Sequence, residues 1–390
     1  MFQALNKNGE LVTLASLTKE EIEQIRKQEQ FFCPECHDLV IVRAGPHVTP
    51  HFAHYHTSHC TFSTNGETDD HRNAKLLLYQ WLRDQQINAK LEFFIPEINQ
   101  RPDIFFSYKQ KLFVFEFQYS LTDLTSIQKR NEGYRKNGII PIWFLDIRLL
   151  KSLSTNVLQL NDWTLQFMHQ FSHQLPTTLY FYDVNNNCLT TITDIHLINR
   201  RRAIASFTEK KLSQLTFRKI FSNKRLDKQA LFKVWHKEKR NFRLAAYQVY
   251  GKELKWRKWL YQRRQFIDYL PSIIHLPIPN QHFFNVPPWY WQSHFIIDFL
   301  DPIPIGQNIS LTQMKRFLSP FLYKKNEYPL LPQNDFPFIP YMQLLNDLNY
   351  VERVDNETFM KKRKIQFYHH IEKAIIGDDE LLLYFMYNHT

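Results

Sequence analysis

The amino-acid sequence predicts a multidomain α/β protein: a small N-terminal zinc-binding module, a mixed sheet flanked by helices, and a largely helical basic region. Three observations predict it. Three of the four cysteines, with several histidines, crowd into the first 62 residues. A helix, three strands, a helix and a strand then follow in that order, the pattern of a mixed sheet with helical cover. The charge is also uneven: Arg200–Arg264 holds 21 Lys and Arg against 4 Asp and Glu, a net of +17 in a chain of net +11, so the rest carries −6. At 390 residues two or three domains are expected, with limits at 1–62, 63–199 and 200–390.

In the first module, Cys33-Pro34-Glu35-Cys36 is followed by His51-Phe52-Ala53-His54 and His59-Cys60. A Cys-x2-Cys turn aims two thiolates at one tetrahedral site, and a second pair completes it. The second pair is open among His51, His54, His59 and Cys60. On a strand, alternation sends His51 and His54 to opposite faces, which favours His54 with Cys60 and holds His51 in reserve. Four filled positions make such a zinc structural.

In the central region, Glu67–Gln86 reads as an amphipathic helix with Leu76, Leu77, Leu78, Trp81 and Leu82 on its apolar side. Strands are expected over Lys90–Ile95, Asp103–Tyr108, Leu112–Tyr119 and Ile139–Asp146, with a helix over Ser120–Lys136 between the last two. A further hairpin is expected over Thr178–Thr191. Asp103–Tyr108 and the next strand form a hairpin turning at Lys109-Gln110. If Tyr108 pairs with Lys111, Asp103 lies opposite Glu116 and both carboxylates project to one face, with Gln118 two residues on. Carboxylates amid Phe, Val and Ile are costly unless a cation neutralises them, and hard oxygen ligands suit Mg²⁺ or Mn²⁺. Glu67, His71 and Lys75 share one helical stripe that can lean over that site.

Pro102-Asp103, Glu116-x-Gln118 and the preceding Glu67 helix together resemble the PD-(D/E)XK nuclease superfamily, with its restriction-endonuclease-like core. With the Cys-Pro-x-Cys and His-Phe-Ala-His segments, Glu67-x3-His71 and Arg130-x3-Tyr134, the arrangement over roughly Met1–Leu150 is similar to the competence protein CoiA family of Gram-positive bacteria. The resemblance implies a DNA-processing role on incoming single strands in natural transformation, beside a RecA-type recombinase and other competence proteins. It also implies a Mg²⁺- or Mn²⁺-dependent phosphodiesterase. In that reading Asp103 and Glu116 hold the ion, Glu67 supplements them, His71 handles a proton, Gln118 orients water, and Arg130, Tyr134 and Lys75 meet the DNA. The usual superfamily lysine is replaced by Gln118, which can orient water but supplies neither charge nor base. Lys75 or Lys129 is a spatial substitute for it. The alternative is a non-catalytic single-strand-binding mediator that assists the recombinase.

The basic stretch interleaves eleven aromatics with its cations, among them Trp235, Phe242, Tyr250, Trp256, Trp259 and Tyr261. Rings and cations together suit single-stranded nucleic acid. Expected contacts are Lys237, Lys239, Arg240, Arg243, Lys255, Arg257, Lys258, Arg263 and Arg264, while most of the rings are expected in a helical core. Other classes drop out. Glycine numbers only 8, and no glycine-rich dinucleotide or phosphate loop occurs. No secretory leader and no apolar run of about 18 residues is seen, so a cytoplasmic protein without stable membrane insertion is expected.

Overall fold

The computed structural model describes residues 1–45, 48–55, 60, 68–199, 201–244, 250–324 and 327–388. The chain forms two compact units. One comprises Met1–Leu150, Leu179–Thr191 and Thr208–Ser222; the other comprises Lys151–Thr178, Ile192–Phe207 and Asn223–Thr390.

The first unit opens with five antiparallel strands, β1 (Gln3–Leu5), β2 (Leu11–Thr13), β3 (Phe31–Phe32), β4 (Leu39–Gly45) and β5 (Val48–His54), in the order β2-β1-β3-β4-β5. Helix α1 (Lys19–Gln28) begins at Thr18, whose side chain and that of Glu21 cap each other's backbone N–H. Met1, Ile22, Phe31, Cys33, Val42 and Phe52 form the core of this module.

Helix α2 (Asp69–Asp84) starts where Thr68 accepts the His71 N–H, and it buries Ala74, Leu78, Trp81 and Leu82 at helical spacing. A nine-strand mixed sheet follows. It contains β6 (Ala89–Leu91), β7 (Ile104–Tyr108), β8 (Lys111–Gln118), β9 (Ile139–Asp146), β10 (Lys151–Ser154), β11 (Val157–Gln159), β12 (Thr178–Asp183), β13 (Cys188–Leu197) and β14 (Arg202–Lys211). Their order is β10-β11-β14-β13-β12-β9-β8-β7-β6. Helix α3 (Leu124–Lys136) makes the crossover between β8 and β9, which pair in parallel. Trp81 of α2 stacks on Phe115, and Phe106, Phe113 and Phe217 pack edge to face beside it.

The β7–β8 hairpin has the expected register, with Tyr108 opposite Lys111 and Ile104 opposite Phe115. Lys109 and Gln110 sit at φ 47° and 62°. Two left-handed residues make a type I′ turn, whose twist matches the strands even without Asn-Gly. The expected hairpin at residues 178–191 is β12 and β13.

The second unit is mainly helical, with one departure from expectation: β14 is a strand where the basic stretch was read as helix. Its short run with Ala203, Ile204 and Ala205 buried has no periodicity that separates the two states. Helices α4 (Asp162–Leu165), α5 (Lys228–Arg243), α6 (Gly251–Gln262), α7 (Pro288–His294), α8 (Leu311–Leu318), α9 (Ile339–Asp347) and α10 (Ile371–Asn388) surround a core holding Trp235, Trp256, Trp291, Tyr341 and Phe385. A short sheet, β15 (Asn308–Ser310), β17 (Thr358–Lys361) and β16 (Val351–Arg353), closes the unit. Among the described residues no helix is long and apolar enough to cross a membrane.

Candidate metal centre and carboxylate site

The turn after β3 and the end of β5 build the first site. Cys33, Cys36, His54 and Cys60 place their ligand atoms within 4.8 Å of one another. Cys33 Sγ lies 4.0 Å from Cys60 Sγ, and Cys36 Sγ lies 3.4 Å from His54 Nε2. Zinc–thiolate bonds of 2.3 Å in a tetrahedron put sulfurs about 3.8 Å apart, so the set fits zinc. His51 projects to the other face of β5, where its Nδ1 is 2.8 Å from the Thr49 carbonyl. The favoured ligand set therefore converges, and His59 lies outside the described residues. Burial pushes the Cys33 thiol up and the His54 imidazole down, both consequences of desolvating the charged form.

The second site lies where α2 crosses the start of β7 and the end of β8. Asp103 immediately precedes β7, and one further step of the observed register sets it opposite Glu116. Asp103 Oδ2 accepts the Phe117 N–H at 2.8 Å and stands 3.5 Å from His71 Nε2, while its Oδ1 is 3.8 Å from Lys75 Nζ. The helical stripe thus delivers His71 and Lys75 to Asp103. Glu67 lies outside the described residues. Gln118 donates its Nε2 to the Ser120 carbonyl at 2.6 Å, which leaves Oε1 for water.

Three expectations about this region need correction. Arg130 does not face outward for a phosphate: its Nε donates to Glu116 Oε1 at 3.1 Å, and its Nη2 donates to the same oxygen and to the Arg101 carbonyl. Tyr134 is fully buried and donates its hydroxyl to Glu116 Oε1. Lys75 is 2% exposed, with its Nζ 2.6 Å from Glu92 Oε1. Asp103 stands near His71 and Lys75, and Glu116 is paired with Arg130; among the described residues the cluster of three or more metal-binding groups is the cysteine–histidine set. For Tyr134 and Lys75 burial decides: a phenol or cation inside the fold bonds to the nearest buried carboxylate rather than to solvent. Arg130, with its side chain 30% exposed, is held by its hydrogen bonds to Glu116.

The electrostatics follow. Burial alone would raise the Asp103 carboxyl, but His71, Lys75 and the Phe117 amide outweigh it and hold the group at about 2. Glu116 moves the other way: burial and the Asp103 charge push it up against the pull of Arg130 and Tyr134. Burial likewise opposes the Glu92 charge, yet Lys75 holds that carboxyl far below the usual range. Glu92, Asp103 and Glu116 therefore lie among several cations: Lys75, the Met1 ammonium and Arg101 act on Glu92, and Arg130 acts on Glu116.

Sequence reasoning missed several participants. Arg101, just before Pro102-Asp103, binds Glu35 of the cysteine turn at 2.5 Å, and Glu35 lies 3.0 Å from Cys33 Sγ. A chain of polar contacts thus runs from the thiols through Arg101 and Arg130 to Glu116. Gly133 permits it, because a Cβ there would stand 2.5 Å from the Gln100 amide that bonds α3. At the end of β9, Arg148 is held by Asp146 and Asp70 and lies 4.2 Å over the Tyr119 ring. The available signal was lone charged residues beside apolar runs, such as Glu92 and Asp146.

The basic stretch divides in two. Lys239 and Arg243 are corrections: both are buried and pinned to Asp378 of α10. Arg257 pairs with Glu253, and Arg263 with Asp298. Lys237, Arg240, Lys255, Lys258 and Arg264 are exposed.

With the geometry in place, comparison with known proteins is decisive. Three domain descriptions of one family match in series: the N-terminal domain of competence protein CoiA over residues 14–63, its nuclease-like domain over 67–225, and its C-terminal domain over 231–375. The chain belongs to the competence protein CoiA family. A curated relative, competence protein CoiA of Bacillus subtilis (strain 168), is 27% identical over 295 residues, covering 70% of this chain and 73% of its own. No solved structure matches the chain. As a CoiA-family member it carries a nuclease-like domain, and the carboxylate site lies inside the 67–225 match.

Proposed function

We propose that the chain is a Mg²⁺- or Mn²⁺-dependent phosphodiesterase that processes DNA, acting on single strands during transformation and recombination. The observation that carries this reading is the carboxylate pair set opposite each other by the hairpin register, where the Asp103 charge helps push Glu116 up. Two carboxylates set opposite each other repel, and a divalent cation between them relieves that repulsion. Asp103 and Glu116 would hold it, with Glu67 the further ligand expected from the sequence. Bound there, the cation supplies a Lewis acid that lowers the pKa of a bound water.

The residues of the chain do the rest. Gln118 Oε1 accepts a hydrogen bond from the attacking water and so orients it. His71 Nε2, beside Asp103, is placed to carry a proton to the leaving oxygen. Arg130 neutralises Glu116 and fixes its carboxylate in place. Lys75 stands in for the missing lysine as a fixed charge near Asp103 rather than as a base, because Glu92 holds it. The exposed cations of α5 and α6 hold the polyanion, with steep salt dependence.

A second reading rests on a specific observation. Because Arg130, Tyr134, Lys75 and His71 already engage both carboxylates, the chain in this reading is a non-catalytic single-strand mediator that assists a RecA-type recombinase. The test is degradation of labelled single-stranded DNA with added Mn²⁺, comparing the wild type with the double variant Asp103→Ala, Glu116→Ala. Cleavage that needs Mn²⁺ and vanishes in the variant supports the enzyme. A wild type that binds but never cleaves supports the mediator.

A further inference from the structure

We infer that the solvent-facing side of α6 is a stacking platform that gives the chain a preference for single-stranded over double-stranded nucleic acid. The inference rests on the proposal that the basic region binds DNA, and it assigns that preference to particular side chains.

Helix α6 buries only Trp256 and Leu260, so its core contact is a narrow stripe. Trp256 is fixed there by donating Nε1 to Ser293 Oγ at 2.8 Å. At 100° per residue, Leu254, Lys255, Lys258 and Tyr261 point away from that stripe. All four are exposed. Tyr261 is 69% exposed and Tyr250, at the helix start, 70% exposed. Phe266 meets Tyr261 edge to face at 6.1 Å and is itself 47% exposed. Three large rings in water on one short segment are unusual, since aromatic side chains otherwise dominate cores and interfaces.

Charge defines the partner. Lys252, Lys255, Lys258 and Arg264 surround the rings, and none has an ion-pair partner among the described residues. The acid of this helix, Glu253, is already tied to Arg257. On α5, Lys233, Lys237 and Arg240 form a second exposed ridge at i, i+4 and i+7. Lys255 and Lys258 are about 4.5 Å apart along the axis, and Tyr261 lies about 4.5 Å beyond. Phosphates fit the lysines, and an unstacked base fits the Tyr261 face. A duplex offers the same phosphates but keeps its bases stacked inside, so it gains from the lysines and not from the rings.

The experiment is fluorescence anisotropy of the full chain with a labelled oligothymidylate and with a duplex of equal length, without added Mg²⁺ or Mn²⁺. Tyr261→Ala is expected to weaken single-strand binding about five-fold or more, given the worth of one base–aromatic stack. Duplex binding should stay within about two-fold, and Tyr261→Phe should retain single-strand affinity because the ring is kept. Lys255→Ala with Lys258→Ala should weaken both ligands and flatten the salt dependence. The platform is overturned if Tyr261→Ala and Tyr250→Ala leave single-strand affinity unchanged, or weaken both ligands equally, while the wild type binds. A wild type that binds neither ligand overturns the DNA-binding proposal itself.

Discussion

Replacing Lys75 by Met tests the buried charge pair on which the carboxylate site rests. Lys75 and Glu92 are 2% and 4% exposed at the side chain and meet at 2.6 Å. The second Glu92 oxygen accepts the Phe2 N–H at 2.6 Å. Without Lys75, Glu92 loses its closest cation and keeps that amide and the weaker pull of the Met1 ammonium and Arg101; breaking a buried pair from one side costs about 3–5 kcal/mol. The loss should be largest near neutral pH. In the variant the Glu92 carboxyl rises above its unfolded value, so the protonated form favours the fold, and that relief fades as pH rises through the new folded value. Replacing both partners, Lys75→Met with Glu92→Leu, removes both charges; it leaves the Phe2 N–H without its carboxylate, a cost of about 1–3 kcal/mol, and takes away the weaker pull of Lys75 on Asp103. The double variant should therefore be more stable than Lys75→Met alone. Urea midpoints at constant slope, followed by circular dichroism, measure this. A double variant whose loss equals the sum of the two single losses would refute the reasoning.

Other outcomes follow from the same geometry. Glu35→Gln should keep zinc, measured by atomic absorption, because Cys33, Cys36, His54 and Cys60 are intact. It should nevertheless speed hydrogen exchange at the Phe117 amide, since weakening the Glu35–Arg101 pair loosens the segment that carries Asp103. Asp103, held at about 2 against an ordinary 3.8, stabilises the fold by about 2 kcal/mol. That stability is present above the unfolded value and lost as pH falls from about 4 through 2. Asp103→Asn should remove this part of the acid loss in thermal melts. Arg243→Met should cost about 3–5 kcal/mol in urea unfolding by weakening the buried anchor of Asp378, although a surface reading of the basic stretch assigns it no cost.

The hairpin and the cysteine turn were legible in the sequence because their geometry is local. Alternation and a two-residue turn determine that Asp103 faces Glu116, and alternation along β5 selects His54 over His51. The cations were not legible for the opposite reason. Arg101 finds Glu35 66 residues away, and Arg243 finds Asp378 135 residues away, so only packing decides which charges meet. One signal was available and unused. Leu231, Trp235, Lys239 and Arg243 follow one another at i+4 and share the buried side of α5, which placed the last two with the core. Lys237 and Arg240 lie off that stripe and are exposed. Likewise Trp235 and Trp256 are core residues, as expected of most rings, whereas Tyr250 and Tyr261 stay in water.

The central claim is that Asp103 and Glu116 together hold a divalent cation, and a crystal soaked in Mn²⁺ tests it most directly. The expected result is an anomalous peak bridging both carboxylates at roughly 2.1–2.2 Å from an oxygen of each, with the Arg130 guanidinium withdrawn from Glu116. No peak there, with Arg130 and Tyr134 still on Glu116 and zinc present at Cys33, Cys36, His54 and Cys60, would contradict it.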